Sequence, residues 1–194
     1  MPLDEIRLAE TLQAQYRARF PKSAQAHERA LNSLVDGISH TSRFIEPYPI
    51  RTSSAHGAVV NDIDGHEIVD LWQGHYANII GHNPEPVRNA LINAFEAGNG
   101  LQTGHVEEAQ AEFAELLLRD TGDDRVRLTT AGTLATMYAM MLARGYTGRQ
   151  IVVKIAGGWH GASPSGLSGV QRNINGYNHA DSQGILDKDK EATL

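Results

Sequence analysis

One stretch in the second half of the chain carries the residues best suited to bind a charged ligand. Three small residues, Ala131, Gly132 and Thr133, separate an apolar run that predicts a strand (126–129) from one that predicts a helix (133–145). The first N–H groups of a helix have no intrahelical acceptor, and the helix dipole favours negative charge beside them. A small-residue turn at this place is therefore a candidate phosphate site, although such turns also occur where nothing binds.

A second group follows the next predicted strand (151–155), where the sequence reads Gly158-Trp159-His160-Gly161. An indole can stack on a planar ring, and an imidazole can donate or accept a hydrogen bond. A phosphate turn followed by these two rings suits a planar phosphorylated cofactor. Taken alone, Trp159 is also compatible with a core aromatic, and His160 with a partly buried histidine whose partners are ordinary.

The order of these blocks resembles the class III aminotransferases, which are pyridoxal-phosphate enzymes of fold type I, and within them the glutamate-1-semialdehyde aminomutases. The resemblance covers roughly residues 25–165 and rests on the order of blocks rather than on any one of them. The matching blocks are Ala131–Thr136, Leu142-Ala143-Arg144, Thr147-Gly148-Arg149, Trp159-His160-Gly161 and, upstream, residues 57–65, Val69-Asp70 and 81–84.

Three positions depart from the pattern of the family. The family usually has serine where this chain has Ala131, glutamate where it has Leu134, and tyrosine where it has Trp159. Loss of the serine removes only a side-chain contact, because backbone N–H groups bind the phosphate. Leu134 is the sharper change, since leucine cannot make the hydrogen bonds of a carboxylate.

The resemblance implies pyridoxal 5′-phosphate as the cofactor and an amino or keto compound with a carboxylate as the substrate. The residues that it places at the cofactor are Ala131, Gly132, Thr133, Trp159 and His160. It places Arg43, His40 and His75 on the substrate side, where Arg43 would grip the carboxylate through two parallel hydrogen bonds. An arginine in a loop is otherwise usually a solvated surface charge. The resemblance also implies a homodimer for the full-length protein.

The family's chains are about twice as long as this one, so the resemblance predicts an amino-terminal fragment. The lysine that binds the cofactor is expected beyond Leu194, and no catalytic residue is expected within the chain. None of the four lysines matches it: Lys22, Lys154, Lys188 and Lys190. An ω-aminotransferase or an amino-acid epimerase on the same scaffold is an alternative. A hypothesis of another class is an inactive remnant that acts only as a binding or interaction module.

The composition narrows the remaining classes of partner, metal site and cellular location. Hydrophobic residues make up 41% and charged residues 21% of the 194 residues, which is ordinary for a chain with a core. The net charge of −6 disfavours nucleic acid as a partner. The chain has no cysteine, its nine histidines show no zinc-ligand spacing, and no metal site is predicted. Without an apolar stretch of membrane or signal length, we expect a cytoplasmic protein that does not bind membranes.

The elements that must position these residues follow from periodicity and turn residues. We predict an α/β fold: the amino-terminal part of a fold type I transferase, with helices and a small β-hairpin, then the start of a mostly parallel sheet. Residues 1–84 would form small-domain elements and residues 85–194 the truncated start of the cofactor-binding domain. Predicted helices are 3–19, 23–35 (capped by Ser23), 86–98, 107–119 and 133–145. Predicted strands are 58–61, 66–72, 126–129 and 151–155, and residues 38–56 are expected to be irregular.

Overall fold

Amphipathic runs form the helices of the chain in a computed structural model, which describes residues 3–100, 104–174, 176–177 and 179–193. The chain divides into two compact units, Met1–His105 and Val106–Leu194, which are described separately below. The predicted domain boundary after residue 84 stays a prediction. In the described residues, no helix combines the length and the apolar character needed to cross a membrane.

The first unit begins with two helices, α1 (Leu3–Arg19) and α2 (Pro21–Leu31). Acidic residues in the first turn of α1 and arginines in its last turn match the helix dipole. Two short 3₁₀ turns follow, Val35–Gly37 and Thr41–Arg43. After the sheet come the single turn α3 (Gln73–Tyr76) and the helix α4 (Glu85–Glu96).

The sheet of this unit is a three-stranded antiparallel meander in the order β1 (Thr52–His56), β2 (Val59–Asp62) and β3 (Glu67–Val69). Val60 pairs with Ala55 on one side and with Ile68 on the other. The hairpin predicted around residues 62–65 is therefore confirmed. The expectation that residues 38–56 are irregular is wrong at its end, because Ser54, Ala55 and His56 pair with β2.

The amino-terminal end of helix α2 is capped by a residue that is far away in the sequence, and not by a residue of its own segment. Ser23 was predicted to cap it, but α2 begins at Pro21, and Ser23 lies inside the helix and is fully buried. The Asp64 carboxylate, from the β2–β3 turn, accepts hydrogen bonds from the N–H groups of Lys22 (2.6 Å) and Ser23 (3.0 Å) and from Ser23 Oγ (2.6 Å). The helix also ends earlier than predicted, at Leu31 instead of residue 35.

The second unit contains α5 (Glu108–Thr121), α6 (Gly132–Thr147) and the short α7 (Asp187–Glu191). Gly122 and Gly148 end the two long helices with φ of 76° and 68°, a left-handed conformation that suits glycine. The helices predicted over residues 107–119 and 133–145 are therefore confirmed to within two residues at each end.

The strand predictions at 126–129 and 151–155 are wrong for the described part of this unit. Within it, the one pairing of these residues is a parallel bridge between Val152 and Thr193. A strand is stable only when a neighbouring strand satisfies its N–H and C=O groups, and the apolar pattern does not reveal whether a neighbour is present. Val153 and Ile155 are each 79% exposed, so this segment is not buried on both faces.

We predict that Asp64→Asn lowers the free energy of unfolding of the chain by about 1–2 kcal/mol at pH 7, as expected for loss of a charged cap. Burial raises the pKa of Asp64, but the hydrogen bonds from Ser23 and Lys22 outweigh it and leave the pKa below its ordinary value. The carboxylate therefore stabilises the fold fully above its unfolded pKa of about 3.9 and loses this effect as the pH falls through the folded pKa.

Urea unfolding at neutral and acidic pH measures this difference. The gap between the wild type and Asp64→Asn should shrink below about pH 4. The exposed Asp124 provides a matched control, since Asp124→Asn should change the stability little at either pH. If Asp64→Asn lowered the free energy of unfolding equally at neutral and at acidic pH, this result would contradict the capping role.

Candidate cofactor and substrate sites

The start of α6 presents backbone donors without a side-chain cap. Ala131 is extended (φ −157°, ψ 153°), Gly132 is the first helical residue, and no side chain caps this end of the helix. The first intrahelical hydrogen bond here runs from the N–H of Ala135 to the carbonyl of Ala131, at 3.1 Å. A Cβ at Gly132 would meet no atom within 4 Å, so this position has room for a side chain.

The loop that carries His160 is fastened to this helix start. Thr136 Oγ1 donates to the carbonyl oxygen of His160 at 2.9 Å, and the N–H of Ala162 donates to Thr133 Oγ1 at 3.2 Å. Gly161 has φ of +94°, and a Cβ there would lie 2.7 Å from the Thr133 Cα. Glycine is therefore required at Gly161, because its backbone must pass directly over the first turn of α6.

His160 and Trp159 both present groups that a ligand can use. The Nδ1 atom of His160 is buried and has no hydrogen-bond partner among the described residues. An unpaired buried nitrogen of this kind costs about 1–3 kcal/mol, which a ligand's hydrogen bond recovers. Trp159 is 58% exposed, so its indole offers a flat apolar surface for stacking.

In the first unit the structure brings together two of the three residues predicted on the substrate side. Ser42 Oγ lies 2.7 Å from His40 Nδ1 and 3.3 Å from His75 Nε2. The two imidazole rings are 5.8 Å apart, edge to face. Arg43, in the same 3₁₀ turn as Ser42, is exposed, and its guanidinium has no hydrogen-bond or ion-pair partner among the described residues.

Sequence reasoning missed Ser42 and Thr136, which connect the predicted residues to one another. Thr136 lies four positions after Gly132, on the same side of α6, so helical spacing was a usable signal. Ser42 lies beside Arg43 but reaches His75 across 33 positions, and no local pattern reveals such a contact.

The structure resembles solved transaminases over most of its length. It matches an omega-transaminase from Sphaerobacter thermophilus with a TM-score of 0.81 at 28% identity, over 89% of this chain and 40% of that one. It matches a transaminase with PLP bound equally well, at 32% identity, over 90% of this chain and 41% of that one. The fold is therefore that of the amino-terminal part of a fold type I transferase, as predicted.

Residues 41–183 match the family described as Aminotransferase class-III. The chain belongs to this family, and the resemblance found in its sequence is confirmed. A glutamate-1-semialdehyde 2,1-aminomutase from Methanocella arvoryzae is 37% identical over 141 residues, which are 72% of this chain and 33% of the relative. The chain spans about 32–41% of the length of the curated relatives compared.

We predict that Thr136→Val loosens the loop that carries His160 while leaving α6 intact. Valine matches threonine in shape but cannot donate to the His160 carbonyl, so the change removes about 1 kcal/mol of local stability. Hydrogen exchange at residues 158–162 should accelerate by roughly fivefold in consequence. Thr147→Val is the control, because Thr147 Oγ1 bonds only to Ala143 and Arg149 at the other end of the helix. Equal exchange rates in the two variants would contradict the fastening role of Thr136.

Proposed function

We propose that this chain supplies the amino-terminal part of a pyridoxal-phosphate enzyme that moves an amino group. The observation that carries the proposal is the start of α6, which no side chain caps, together with the Nδ1 atom of His160, which has no hydrogen-bond partner in the part of the chain that the structure describes. These groups fit the cofactor: the helix start suits a phosphate, and the histidine suits a polar group near a ring. The relatives with the same fold include a transaminase with PLP bound.

The candidate cofactor residues of the second unit then have distinct roles. The N–H groups of Gly132 and Thr133 bind the phosphate, and the helix dipole adds to the attraction. Thr136 and Gly161 hold the His160 loop close to that turn, and Trp159 covers one ring face. When bound, the cofactor supplies an electron sink for the carbon that carries the amine. The protein's contribution here is to bind and orient it.

The first unit supplies groups for a substrate carboxylate. The Arg43 side chain is exposed and has no partner among the described residues, so its guanidinium is available to hold a carboxylate through two parallel hydrogen bonds. His40 and His75 are joined through the hydroxyl of Ser42, which precedes Arg43 in the chain. Their imidazoles add polar hydrogen-bonding groups to the guanidinium of Arg43. The substrate class proposed is therefore an amino or keto compound bearing a carboxylate.

Aminomutase and ω-transaminase chemistry are the two leading versions of this function, since relatives of both kinds match the chain. An epimerase on the same scaffold stays an alternative. A homodimer and a cytoplasmic location for the longer protein also stay proposals.

We predict that Gly132→Asp weakens pyridoxal-phosphate binding on the order of tenfold or more in the protein that contains this segment. The change places a carboxylate at the donors that would otherwise bind the phosphate. Gly145→Asp, at the far end of the same helix and equally free of neighbours, is the matched control. Equilibrium dialysis on folded protein measures both affinities.

Pyridoxal, which lacks the phosphate, separates the two parts of the site. Its affinity should be nearly the same in the wild type and in Gly132→Asp. Equal loss of pyridoxal and pyridoxal phosphate, or equal affinity in the two glycine variants, would remove the basis for the phosphate assignment.

We also propose that the 194-residue chain alone does not turn over amines, because none of its lysines suits the cofactor. Lys154 Nζ is engaged elsewhere, because it donates a hydrogen bond to the carbonyl of Gly166 at 2.9 Å. Lys190 is paired with Asp187 at 2.8 Å. Incubation with pyridoxal phosphate, amino donors and keto acceptors should give no product above the protein-free rate. Turnover that is lost in Lys154→Arg would refute the proposal and identify the lysine responsible.

A further inference from the structure

The turn α3 has a backbone conformation that most residues avoid. Its four residues have φ between 51° and 64°, and three of them, Gln73, His75 and Tyr76, are not glycine. A left-handed conformation costs about 1–2 kcal/mol for each such residue. The turn has few hydrogen bonds of its own: Tyr76 N–H donates to Trp72 O and Asn78 N–H to Gln73 O, each at 3.0 Å, and Ala77 N–H also donates to Gln73 O. Other contacts must hold it.

The Asp70 carboxylate provides that support. Its Oδ1 accepts the N–H groups of Trp72 at 2.8 Å and Gln73 at 3.0 Å, the residues that lead into the turn. Its Oδ2 lies 2.7 Å from His82 Nε2. The His82 hydrogen bond, followed by those of the backbone, lowers the pKa of Asp70, so the carboxylate stays charged at neutral pH.

His82 is itself fixed to the sheet side of this unit. Its backbone exchanges two hydrogen bonds with Gly57, at 2.8 and 3.0 Å. The neighbouring Gly81 packs so closely on Gly57 that a Cβ there would lie 2.9 Å from the Gly57 carbonyl oxygen. A continuous set of contacts therefore runs from the end of β1 through His82 and Asp70 to the start of α3.

The turn presents His75 to two partners. The His75 ring lies 4.3 Å from the Trp72 ring, centroid to centroid, and its Nε2 reaches Ser42 Oγ at 3.3 Å. Ser42 has a single hydroxyl proton, so it donates to one imidazole and accepts from the other. His75 and His40 are thus coupled through one hydroxyl, and this coupling depends on the left-handed backbone that aims His75.

We propose that Asp70, held by His82, is the positioning residue that fixes α3 and thereby sets His75 against Ser42 and His40 on the substrate side of the site. The functional part rests on the proposed function, because the substrate side is defined there by Arg43, His40 and His75. The role predicted for Asp70 is to shape the surface that receives a carboxylate, without contacting the carboxylate itself.

The test compares Asp70→Ala, Asp70→Asn and the wild-type chain by NMR. In Asp70→Ala, amide exchange at Tyr76 and Asn78 should accelerate on the order of tenfold, and the ring contact between Trp72 and His75 should be lost. Amides of the β1–β2 ladder should keep their rates. The exchange rates of these α3 amides in Asp70→Asn should lie between those of the wild type and of Asp70→Ala. The asparagine side-chain oxygen still accepts the two N–H groups but carries no charge.

Asp62→Asn is the matched control. Asp62 accepts two backbone N–H groups and contacts His66 in the same way, but in the hairpin turn. The Asp62→Asn change should leave amide hydrogen exchange at Tyr76 and Asn78 unchanged. The positioning role is overturned if Asp70→Ala keeps the ring contact. It is also overturned if Asp70→Ala unfolds the sheet while Asp70→Asn leaves the α3 amides at wild-type rates.

Succinate serves as the carboxylate probe and separates this role from the proposed function. Wild-type signals of Arg43 and His40 should shift with succinate, and Asp70→Ala should weaken its binding on the order of tenfold. No response in the wild type would refute the carboxylate site, while amide exchange would still decide what holds α3. Equal succinate affinity after loss of the ring contact would overturn the link between Asp70 and substrate binding.

Discussion

Carboxylates that accept backbone N–H groups are the interaction on which the first unit depends. Its buried apolar side chains in the described residues are few: Phe20, Ile38 and Tyr48. Asp62 instead holds the hairpin turn together, and Asp64 ties that turn to the start of α2. Asp70 ties the start of α3 to His82. Charge-assisted hydrogen bonds are roughly twice as strong as neutral ones, so a small polar network offsets a small apolar core. For Asp62 and Asp64, burial raises the pKa, but the accepted hydrogen bonds outweigh it.

In the second unit, threonine hydroxyl groups and a glycine hold a loop against a helix. Thr133 and Thr136 hold the loop at residues 160–162 against α6, and Gly161 permits the close approach. The N–H groups at the start of the helix take no part in these contacts, because the loop bonds to the hydroxyl groups of Thr133 and Thr136 instead. The same contacts that place His160 therefore leave the helix start free for a ligand.

Local sequence signals predicted the helices and the hairpin because these elements satisfy their hydrogen bonds among near neighbours. The hairpin turn at 62–65 was predicted correctly, and the helices at 107–119 and 133–145 were predicted to within two residues at each end. The segments 126–129 and 151–155 were wrong because a strand depends on a partner elsewhere in the chain. The Asp64 cap of α2 was missed for the same reason, since 41 positions separate it from Ser23.

The predicted site residues divide in a similar way. Gly132, Thr133 and His160 were identified from family blocks, and the structure brings the helix start and the His160 loop together; their roles at a cofactor stay predictions. The pairing of His40 with His75 was not predictable, because it requires Ser42 and the left-handed φ of 63° at His75. Nothing in the residue types at positions 73–76 favours that backbone except Gly74. The conformation is imposed by Asp70 and its anchors, which are tertiary contacts.

A site built from backbone donors also explains which departures from the family pattern the fold can accept. Ala131 and Leu134 replace polar residues, yet the N–H groups of the first turn of α6 do not depend on side-chain identity. Leu134 is 38% exposed, so its side chain does not fill a core position that a carboxylate would disrupt. Gly161 has no such freedom, because any Cβ would collide with Thr133. Gly132 is limited in another way: the fold has room for a side chain there, but an acidic one would compete with the phosphate proposed to bind at this helix start. In this part of the chain, the glycines therefore constrain the site more tightly than the polar residues do.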